Sequence, residues 1–402
     1  MTSTSIHRDV ECDSAAAIAD LVRQCMGDGV AIVDYGVAHQ GLGCPPPDPH
    51  VRLIQKPAKD NQGIIEHYVS DLTVRAAAGI TIGALQQVLG EQNQILPIDA
   101  DDDLTLGEVI AHNVYGALRV GYGSMRDLLL GLHFIDGLGR DIHVGGRTVK
   151  NVAGYDVTRF MVGSLGEFGV VHEATLRTYA RPQQVLGIQL ALDVPDRIDG
   201  VLRQWLSGDA APTYLSLHLR DDQWSVRLGY LGRPSTCDQQ YQALLPFLEG
   251  PEGFQLADKR ICSFQEDWTD RAAHRAWRRK AAVLVKIVVP PAITAALCYT
   301  LAQWAKNHQI KLHIDALPAH GCIFVGGAID RKMCIELDLQ IIPILLNCEG
   351  SRVWQTRPHP DDPIDPFAPK QSDWPLLGQL KRTFDPHGIF NPGRFLALEK
   401  RA

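Results

Sequence analysis

The stretch Gly163-Ser164-Leu165-Gly166-Glu167-Phe168-Gly169 leads directly into an apolar run from Val170 to Thr178. Three glycines within seven residues predict a loop, because glycine adopts backbone conformations that other residues avoid. The run that follows has the composition of a buried strand. The strand is expected to end before Arg181-Pro182, since proline cannot donate to a ladder of hydrogen bonds. We therefore place a domain boundary after residue 182.

The residues before this boundary alternate between short helices and short strands. Ser14 precedes a predicted helix whose Ile18, Leu21 and Cys25 share one face. The other expected elements are strands at 30–33, 51–55, 63–69 and 73–78, helices at 81–92 and 106–114, and two strands within 127–144 that are joined by a turn at 136–139. This mixed order predicts an α+β fold.

A looser alternation of strands and helices runs from 183 to about 350 and predicts a separate α/β domain, a sheet with helices on one face. The proline-rich stretch 357–375 is expected to be a linker, followed by a helix at about 376–384. Ile389, Phe390 and Phe395 come after this helix and need burial. The predicted domains are thus 1–182, 183–375 and a C-terminal return, 376–402, to the first domain.

The composition of the chain excludes several classes of function. The 402 residues carry a net charge of −7 and are 45% apolar, which indicates a globular protein that does not bind nucleic acid. The uncharged run Ile287–Ala305 is divided by Pro290-Pro291, so it is not expected to span a membrane. Nine cysteines without any C-x-x-C spacing argue against iron–sulfur clusters and zinc ribbons. No metal site is predicted, and the expected compartment is the cytoplasm.

The usual motifs for NAD, for ATP phosphates, for zinc proteases and for serine hydrolases are missing. What remains is glycine concentrated in four loops, at 36–43, 107–123, 145–154 and 163–169. Taken singly, each loop is best explained as an ordinary turn. Together they suggest a surface on which backbone approaches a phosphate-containing ligand closely.

Four segments carry a family resemblance: YGSMRDLLLG (122–131), GGRTVKNVAGYD (145–156), GSLGEFGVV (163–171) and FDPHGIFNPGRF (384–395). They resemble the PCMH-type flavin domain of the vanillyl-alcohol oxidase family, and within it the FAD-binding (E-type) subunits of bacterial glycolate oxidases. The resemblance covers about 30–182 and 376–396. It implies a two-subdomain FAD-binding domain with an α/β lid (cap) domain, and FAD as the cofactor.

Carried over by position, the resemblance implies that loop 36–43 and segment 104–108 wrap the pyrophosphate. It places the flavin near 112–123 and the adenine and ribose along 163–170. The implied FAD-contacting residues are Gly36, His39, Gly41, Thr105, Gly107, His112, Asn113, Gly116, Tyr122, Gly123, Gly163, Gly166, Gly169, Val170 and Asn391. His39 lies where some relatives attach flavin covalently, although an exposed loop histidine is the alternative.

Some residues depart from the family pattern. Val37, Ala38 and Tyr115 add bulk where the family has small residues, and Glu108 adds a carboxylate. If that carboxylate faced the pyrophosphate, it would repel it by about 1 kcal/mol at 4 Å in water. We therefore expect FAD to bind noncovalently and more weakly than in relatives, and removal of Glu108 to tighten it.

Candidates for catalysis are His313 and His320, with Asp315 between them. Oxidation of a 2-hydroxy acid requires removal of the hydroxyl proton, and Arg352 and Arg357 would hold the carboxylate. The alternating sequence around His313 equally fits a half-buried strand.

The expected function is that of an FAD-binding subunit of a glycolate or 2-hydroxy-acid oxidase complex, passing electrons from a small 2-hydroxy acid through flavin to partner subunits. By resemblance, those partners are a catalytic flavoprotein subunit and an iron–sulfur subunit, which would hold the chain near the membrane. Two alternatives stay open: a self-sufficient FAD-linked dehydrogenase, and a structural subunit that has lost the flavin.

Overall fold

The computed structural model describes residues 7–33, 50–57, 63–146, 156–193, 198–248, 254–356 and 365–394. The chain divides into two units. The first consists of 1–115, 123–181 and 371–402, and the second of 116–122 and 182–370. Among the described residues, no helix has both the length and the apolar character needed to cross a membrane.

The first unit begins with a small parallel sheet. Its strands are β1 (His7–Cys12), β2 (Ala31–Val33) and β3 (His50–Gln55), in the order β1-β3-β2. Helix α1 (Ala15–Asp28) starts where Ser14 Oγ accepts a hydrogen bond from Ala17 N, and it ends at Gly29 in the left-handed conformation. The helix buries the predicted apolar face against this sheet.

A five-stranded antiparallel sheet forms the rest of the first unit. Its strands are β4 (Ile64–Tyr68), β5 (Thr73–Ala77), β7 (Leu129–Ile135), β8 (Asp141–Gly145) and β9 (Val170–Arg177), in the order β4-β5-β9-β7-β8. A short ladder pairs β6 (Gln94–Ile95) with β10 (Tyr179–Ala180). The helices of this unit after α1 are α2 (Ile82–Glu91), α3 (Leu106–His112), α5 (Met125–Leu128), α6 (Val157–Met161) and α13 (Trp374–Phe384).

The second unit is built on a nine-stranded sheet whose described pairings are all antiparallel. The strands are β11 (Gln184–Leu192), β12 (Tyr214–Arg220), β13 (Gln223–Gly232), β14 (Gln255–Cys262), β15 (Val283–Val288), β16 (Leu312–Leu317), β17 (Cys322–Gly327), β18 (Ser351–Thr356) and β19 (Phe367–Ala368). Their order is β14-β11-β13-β12-β16-β17-β15-β18-β19. The helices are α4 (Arg119–Tyr122), α7 (Ile198–Ser207), α8 (Pro234–Leu248), α9 (Phe264–Arg275), α10 (Trp277–Lys280), α11 (Thr294–Asn307) and α12 (Arg331–Cys348).

The expectation of helices on one face of this sheet is wrong. Consecutive residues of a strand point to opposite faces. On β14, the ammonium of Lys259 lies over the ring of Tyr241 in α8, whereas Arg260 pairs with Asp270 in α9. Helices α8 and α9 therefore cover opposite faces of the sheet. The face that α9 covers is the more highly charged of the two.

The C-terminal segment packs within the first unit. Ile32 N donates to the carbonyl of Ile389 at 2.7 Å, and Asn391 N donates to the carbonyl of Ile32 at 2.9 Å. Ile389 and Phe390 are buried in the core that surrounds α1. Phe395 lies outside the described residues.

Candidate functional site

Helix α3 begins with a reciprocal cap. Glu108 N donates to Thr105 Oγ1 at 3.2 Å, and Thr105 N donates to Glu108 Oε2 at 2.7 Å. The Glu108 carboxylate is therefore held by the chain's own backbone at the first turn of the helix. This is a different position from the one expected, in which the carboxylate faced the ligand.

The glycine-rich loop 163–169 is attached to the other end of α3. Gly163 N donates to the carbonyl of Ile110, and Leu165 N donates to the carbonyl of Ala111, both at 2.9 Å. Positive φ angles at Gly163 (85°), Leu165 (54°) and Gly166 (70°) allow the sharp path that these bonds require. The loop is held as a rigid extension of the helix end.

The N–H groups at 163, 164, 165 and 167 all donate to carbonyls of the chain itself. These four N–H groups are therefore engaged within the chain, and the prediction that the adenine and ribose lie along 163–170 rests on the other groups of the loop.

Two side-chain atoms at this junction have no hydrogen-bond partner among the described residues. They are Asn113 Oδ1, on the residue that follows α3, and Ser164 Oγ, on a residue only 5% exposed. A Cβ built on Gly163 would lie 3.4 Å from Asn113 Cβ, so the loop backbone next to Ser164 passes close to Asn113. Buried polar atoms without partners carry a free-energy cost unless a ligand satisfies them. The junction therefore suits a ligand with donor and acceptor groups, as FAD has.

The C-terminal segment also contacts the loop 163–169 and holds it in place. Asn391 Nδ2 donates to the carbonyl of Gly166 at 3.1 Å, and a Cβ on Gly166 would approach that nitrogen to 2.6 Å. Gly166 is thus required by the chain's own packing. Asn391, predicted to contact the cofactor, also tethers the loop through this bond, and its contact with the cofactor stays a prediction.

A buried cluster of charged side chains adds further contacts between the C-terminal segment and this loop. Lys381 Nζ on α13 donates to the carbonyl of Glu167 at 2.5 Å and to that of Phe390 at 2.7 Å. Its ammonium lies 2.9 Å from Asp385 Oδ2 and 3.6 Å from Glu167 Oε2. We call Lys381, Glu167 and Asp385 the lysine cluster. Sequence reasoning did not select it, although Lys and Asp four residues apart on a helix end signal a pair.

Three other predicted glycines are also explained by close packing. A Cβ on Gly107 would lie 3.2 Å from Cβ of Ala78, and one on Gly169 would lie 2.7 Å from the carbonyl oxygen of Ile135. Gly123 has a φ of 84°, and a Cβ there would meet Asp127. A side chain at any of these positions would collide with the chain itself, so the glycines are explained without a ligand.

The remaining predicted residues divide by location. His112 ends α3 and Val170 begins β9, so both lie at the junction. Gly116 and Tyr122 belong to the second unit, in its 116–122 segment. Gly36, His39 and Gly41 lie outside the described residues, as do Val37 and Ala38. Tyr115 is buried, with 8% of its surface exposed.

The structure does not bring the two catalytic candidates together. His313 is near the start of β16, and His320 lies in a short 3₁₀ helix (Pro318–His320) beyond the end of that strand. His313 packs against Trp277, with the ring centroids 5.3 Å apart. Burial, and then the nearby Arg220, lower the pKa of His313.

Asp315 and Arg352 are already engaged. Asp315 accepts hydrogen bonds from His218 Nδ1 at 2.6 Å, from Trp277 Nε1 and Arg278 Nε, both at 2.8 Å, and from Arg220. Burial favours its neutral form, but Arg278, His218 and Arg220 hold the pKa of Asp315 well below its usual range. We call this group the aspartate cluster.

Arg352 pairs with both oxygens of Asp338 and donates to the Asp365 carbonyl. Arg357 lies outside the described residues. The arginine clamp proposed for a substrate carboxylate therefore has no support from Arg352.

Comparison with known proteins identifies the first unit. Residues 7–160 match the family model described as an FAD binding domain. The predicted FAD cofactor and the resemblance to PCMH-type flavoprotein oxidoreductases are thereby confirmed.

Similarity to individual proteins extends further. The glycolate oxidase subunit GlcE of Escherichia coli is 28% identical over 96% of this chain and 99% of its own length. A mitochondrial D-lactate dehydrogenase [cytochrome] of Arabidopsis thaliana is 33% identical over 35% of this chain and 25% of its own length. An alkyldihydroxyacetonephosphate synthase structure aligns with a TM-score of 0.70 and 17% identity, over 96% of this chain and 76% of its own. This last likeness confirms the predicted fold class.

Proposed function

We propose that this chain is the FAD-binding subunit of a glycolate or 2-hydroxy-acid oxidase complex. The observation that carries the proposal is the match to a glycolate oxidase subunit over nearly the full length of both proteins, which includes the second unit. Matches confined to the FAD domain would support flavin binding alone. We further propose that 1–182 and 376–402 form the FAD-binding part, with 183–375 as the cap.

The junction of α3 with the loop 163–169 is proposed as part of the FAD site. Asn113 and Ser164 would contact the cofactor through their unpartnered oxygens. Thr105, Gly107, His112, Gly163, Gly166, Val170 and Asn391 would shape the site around them, with Gly36, His39 and Gly41 on the pyrophosphate side and Gly116, Tyr122 and Gly123 near the flavin ring.

Partner subunits are proposed to complete the reaction. FAD held by this chain would supply a two-electron acceptor: the hydride on the carbon that bears the hydroxyl would be transferred to it, the hydroxyl proton would leave to a base, and the electrons would pass on to an iron–sulfur partner. The residues expected to act on the substrate do not form a base and clamp, since His313 and His320 lie apart and Asp315 and Arg352 have other partners. This favours a chain that depends on a catalytic flavoprotein subunit over a self-sufficient dehydrogenase.

The FAD site can be tested with Asn113→Gly. Asn113 has a φ of 48°, so glycine keeps the backbone conformation and removes only the amide. Asn93→Gly is the matched control, because Asn93 also follows a helix with a φ of 53°. Titration of apo protein with FAD, followed by flavin fluorescence, should show affinity about tenfold weaker for Asn113→Gly, the usual effect of one lost polar contact, and unchanged affinity for Asn93→Gly.

Equal affinities in the two variants would remove Asn113 from the site. A colourless wild-type protein that shows no saturable FAD binding would support the alternative of a flavin-free structural subunit.

Dependence on partners is tested by steady-state oxidation of glycolate or D-lactate with an artificial dye as electron acceptor. We expect negligible turnover by the FAD-loaded chain alone and activity after addition of the partner subunits. Robust turnover by the single chain would favour the self-sufficient dehydrogenase.

A further inference from the structure

Helix α12 has two apolar faces, and only one of them lies in the core. Cys334, Leu337, Ile341 and Leu345 are fully buried in the second unit. On the other face Ile335, Leu339 and Leu346 are 36%, 69% and 62% exposed, and Ile342, at the edge of that face, is half-buried and packs in part against the core. We call Ile335, Leu339, Ile342 and Leu346 the α12 seam.

The seam has the spacing of a helix–helix contact. Its residues follow one another at intervals of four, three and four, which are the d, a, d and a positions of a seven-residue repeat. A helix that needed only to cover its own core would have polar residues on this face. The spacing therefore suits packing of a second helix along α12, with the exposed Pro343 beside the seam.

Charged residues flank the seam at both ends, Lys332 within α12 and Glu349 at the residue that ends the helix, where the backbone is left-handed (φ 54°). Lys332 lies three residues before Ile335, and Glu349 lies three residues after Leu346. Two copies of α12 in parallel would place Lys332 beside Lys332 and Glu349 beside Glu349. In the antiparallel arrangement each Lys332 meets a Glu349, so the charges favour self-pairing in that direction alone.

The other carboxylates near the seam have partners within the chain. Asp338 is held by Arg352 Nη2 at 2.6 Å, and Glu336 lies 3.5 Å from His308 and 3.7 Å from Lys332. The contact between Lys332 and Glu336 is weak because the lysine side chain is 79% exposed. Lys332 can therefore change partner at little cost.

We propose that the α12 seam is a dimer interface, occupied by α12 of a second copy of this chain in antiparallel orientation. A two-fold axis near residues 340 and 341 packs Leu339 against Ile342 of the second copy and Ile335 against Leu346. Lys332 and Glu349 then pair at each end. Because only four apolar side chains per helix are buried, the dimer is weak, with a dissociation constant on the order of micromolar.

Sedimentation equilibrium of the purified full-length chain, between about 1 and 100 μM, tests the interface. Wild type should show a reversible monomer–dimer equilibrium, and Leu339→Glu should raise the dissociation constant at least about 100-fold. Leu376→Glu is the matched control, since Leu376 is 56% exposed on helix α13 and outside the seam, and it should dimerise like wild type. A wild-type chain that stays monomeric throughout, as it would if the seam served a different protein, overturns the proposal. So does a dimer that Leu339→Glu leaves intact.

The direction of pairing is tested by charge exchange. Lys332→Glu and Glu349→Lys should each raise the dissociation constant about 5- to 10-fold, and the double variant should return to the wild-type value. A double variant that is weaker than either single variant contradicts the antiparallel arrangement.

Discussion

The lysine cluster of the first unit and the aspartate cluster of the second have opposite arrangements of charge. In the first, one ammonium, Lys381, lies between two carboxylates and two carbonyls. In the second, one carboxylate, Asp315, lies among two guanidinium groups, an imidazole and an indole. Both central groups are at least 98% buried.

The two clusters differ in what they join. Asp315 connects neighbouring strands β12 and β16 to the short helix α10, all within one sheet and its cover. Lys381 connects residues 214 positions apart, the C-terminal helix and the glycine-rich loop. A buried charge can thus stabilise a sheet or position a binding loop, and only its partners distinguish the two uses.

Lys381→Met should give the largest effect. Removal of the ammonium takes away a cation that contacts the two buried carboxylates, Glu167 and Asp385, and we expect a loss of about 3–5 kcal/mol in unfolding free energy together with loss of FAD binding. Calorimetry and flavin fluorescence measure the two effects. Lys280→Met, at an exposed lysine, is the control and should stay within about 0.5 kcal/mol of wild type. Retention of FAD by Lys381→Met would separate the cluster from the binding loop.

Asp315→Asn should be destabilising by about 2–4 kcal/mol, because Arg220 and Arg278 lose their anion while the shape of the side chain is kept. Unlike Lys381→Met, this variant should keep its FAD affinity within about threefold of wild type. Titration of both variants side by side makes the comparison. Equal losses of FAD binding would show that the two clusters have the same role.

The second unit should also lose stability in acid. Burial, followed by Arg227 and His218, lowers the pKa of His274 from 6.5 to about 4. Between these values the unfolded chain binds a proton that the folded chain does not, so stability falls as pH decreases from about 6.5 to 4. We expect about 1–2 kcal/mol from this group after allowance for its partial exposure.

Thermal unfolding of wild type and His274→Gln across this pH range measures the contribution. The variant should show a shallower dependence on pH, whereas His387→Gln, at an exposed position of the first unit, should match wild type. Identical pH profiles for wild type and His274→Gln would be evidence against a buried neutral imidazole at 274.

Glu108→Gln should give the smallest effect. Glutamine can keep the cap on Thr105, so removal of the charge should change FAD affinity less than threefold. Glu108→Gly, which we first expected to tighten binding, should instead cost about 1 kcal/mol of stability through loss of the cap. Tighter binding in Glu108→Gln, measured by titration, would show that the carboxylate does act on the ligand.

The periodic parts of the fold were predictable and the charged parts were not. Helix α1 and strands β7 to β9 follow from apolar spacing and turn residues. Strand β14 and helix α9 were missed, because Gln255–Cys262 is mostly exposed and Phe264–Arg275 is dominated by charge and alanine. Neither pattern signals burial, since the arginines and aspartates of this face pair with one another and only Arg227, Asp267 and Arg271 among them are buried.

The candidate site shows the same limit. The glycines were found, but four of them have causes within the chain: Gly107 faces Ala78, Gly123 faces Asp127, Gly166 faces Asn391 and Gly169 faces Ile135. Sequence alone does not reveal which atoms fill the space that a missing Cβ leaves. Ser164 stood within the quoted motif and was not selected, because only the structure shows that its hydroxyl lacks a partner.

The glycine-rich loop and the C-terminal segment that holds it are far apart in the sequence. This separation determines when the first unit can be completed during translation. Gly166 and Asn391 are 225 residues apart, so the ribosome completes the entire second unit before Asn391 emerges. Until then the 163–169 loop has its bonds to α3 but lacks those that Lys381 and Asn391 add, and the core of the first unit lacks Ile389 and Phe390. Cofactor loading is therefore expected after translation ends, and a ribosome-bound chain stalled before residue 380 should not retain FAD.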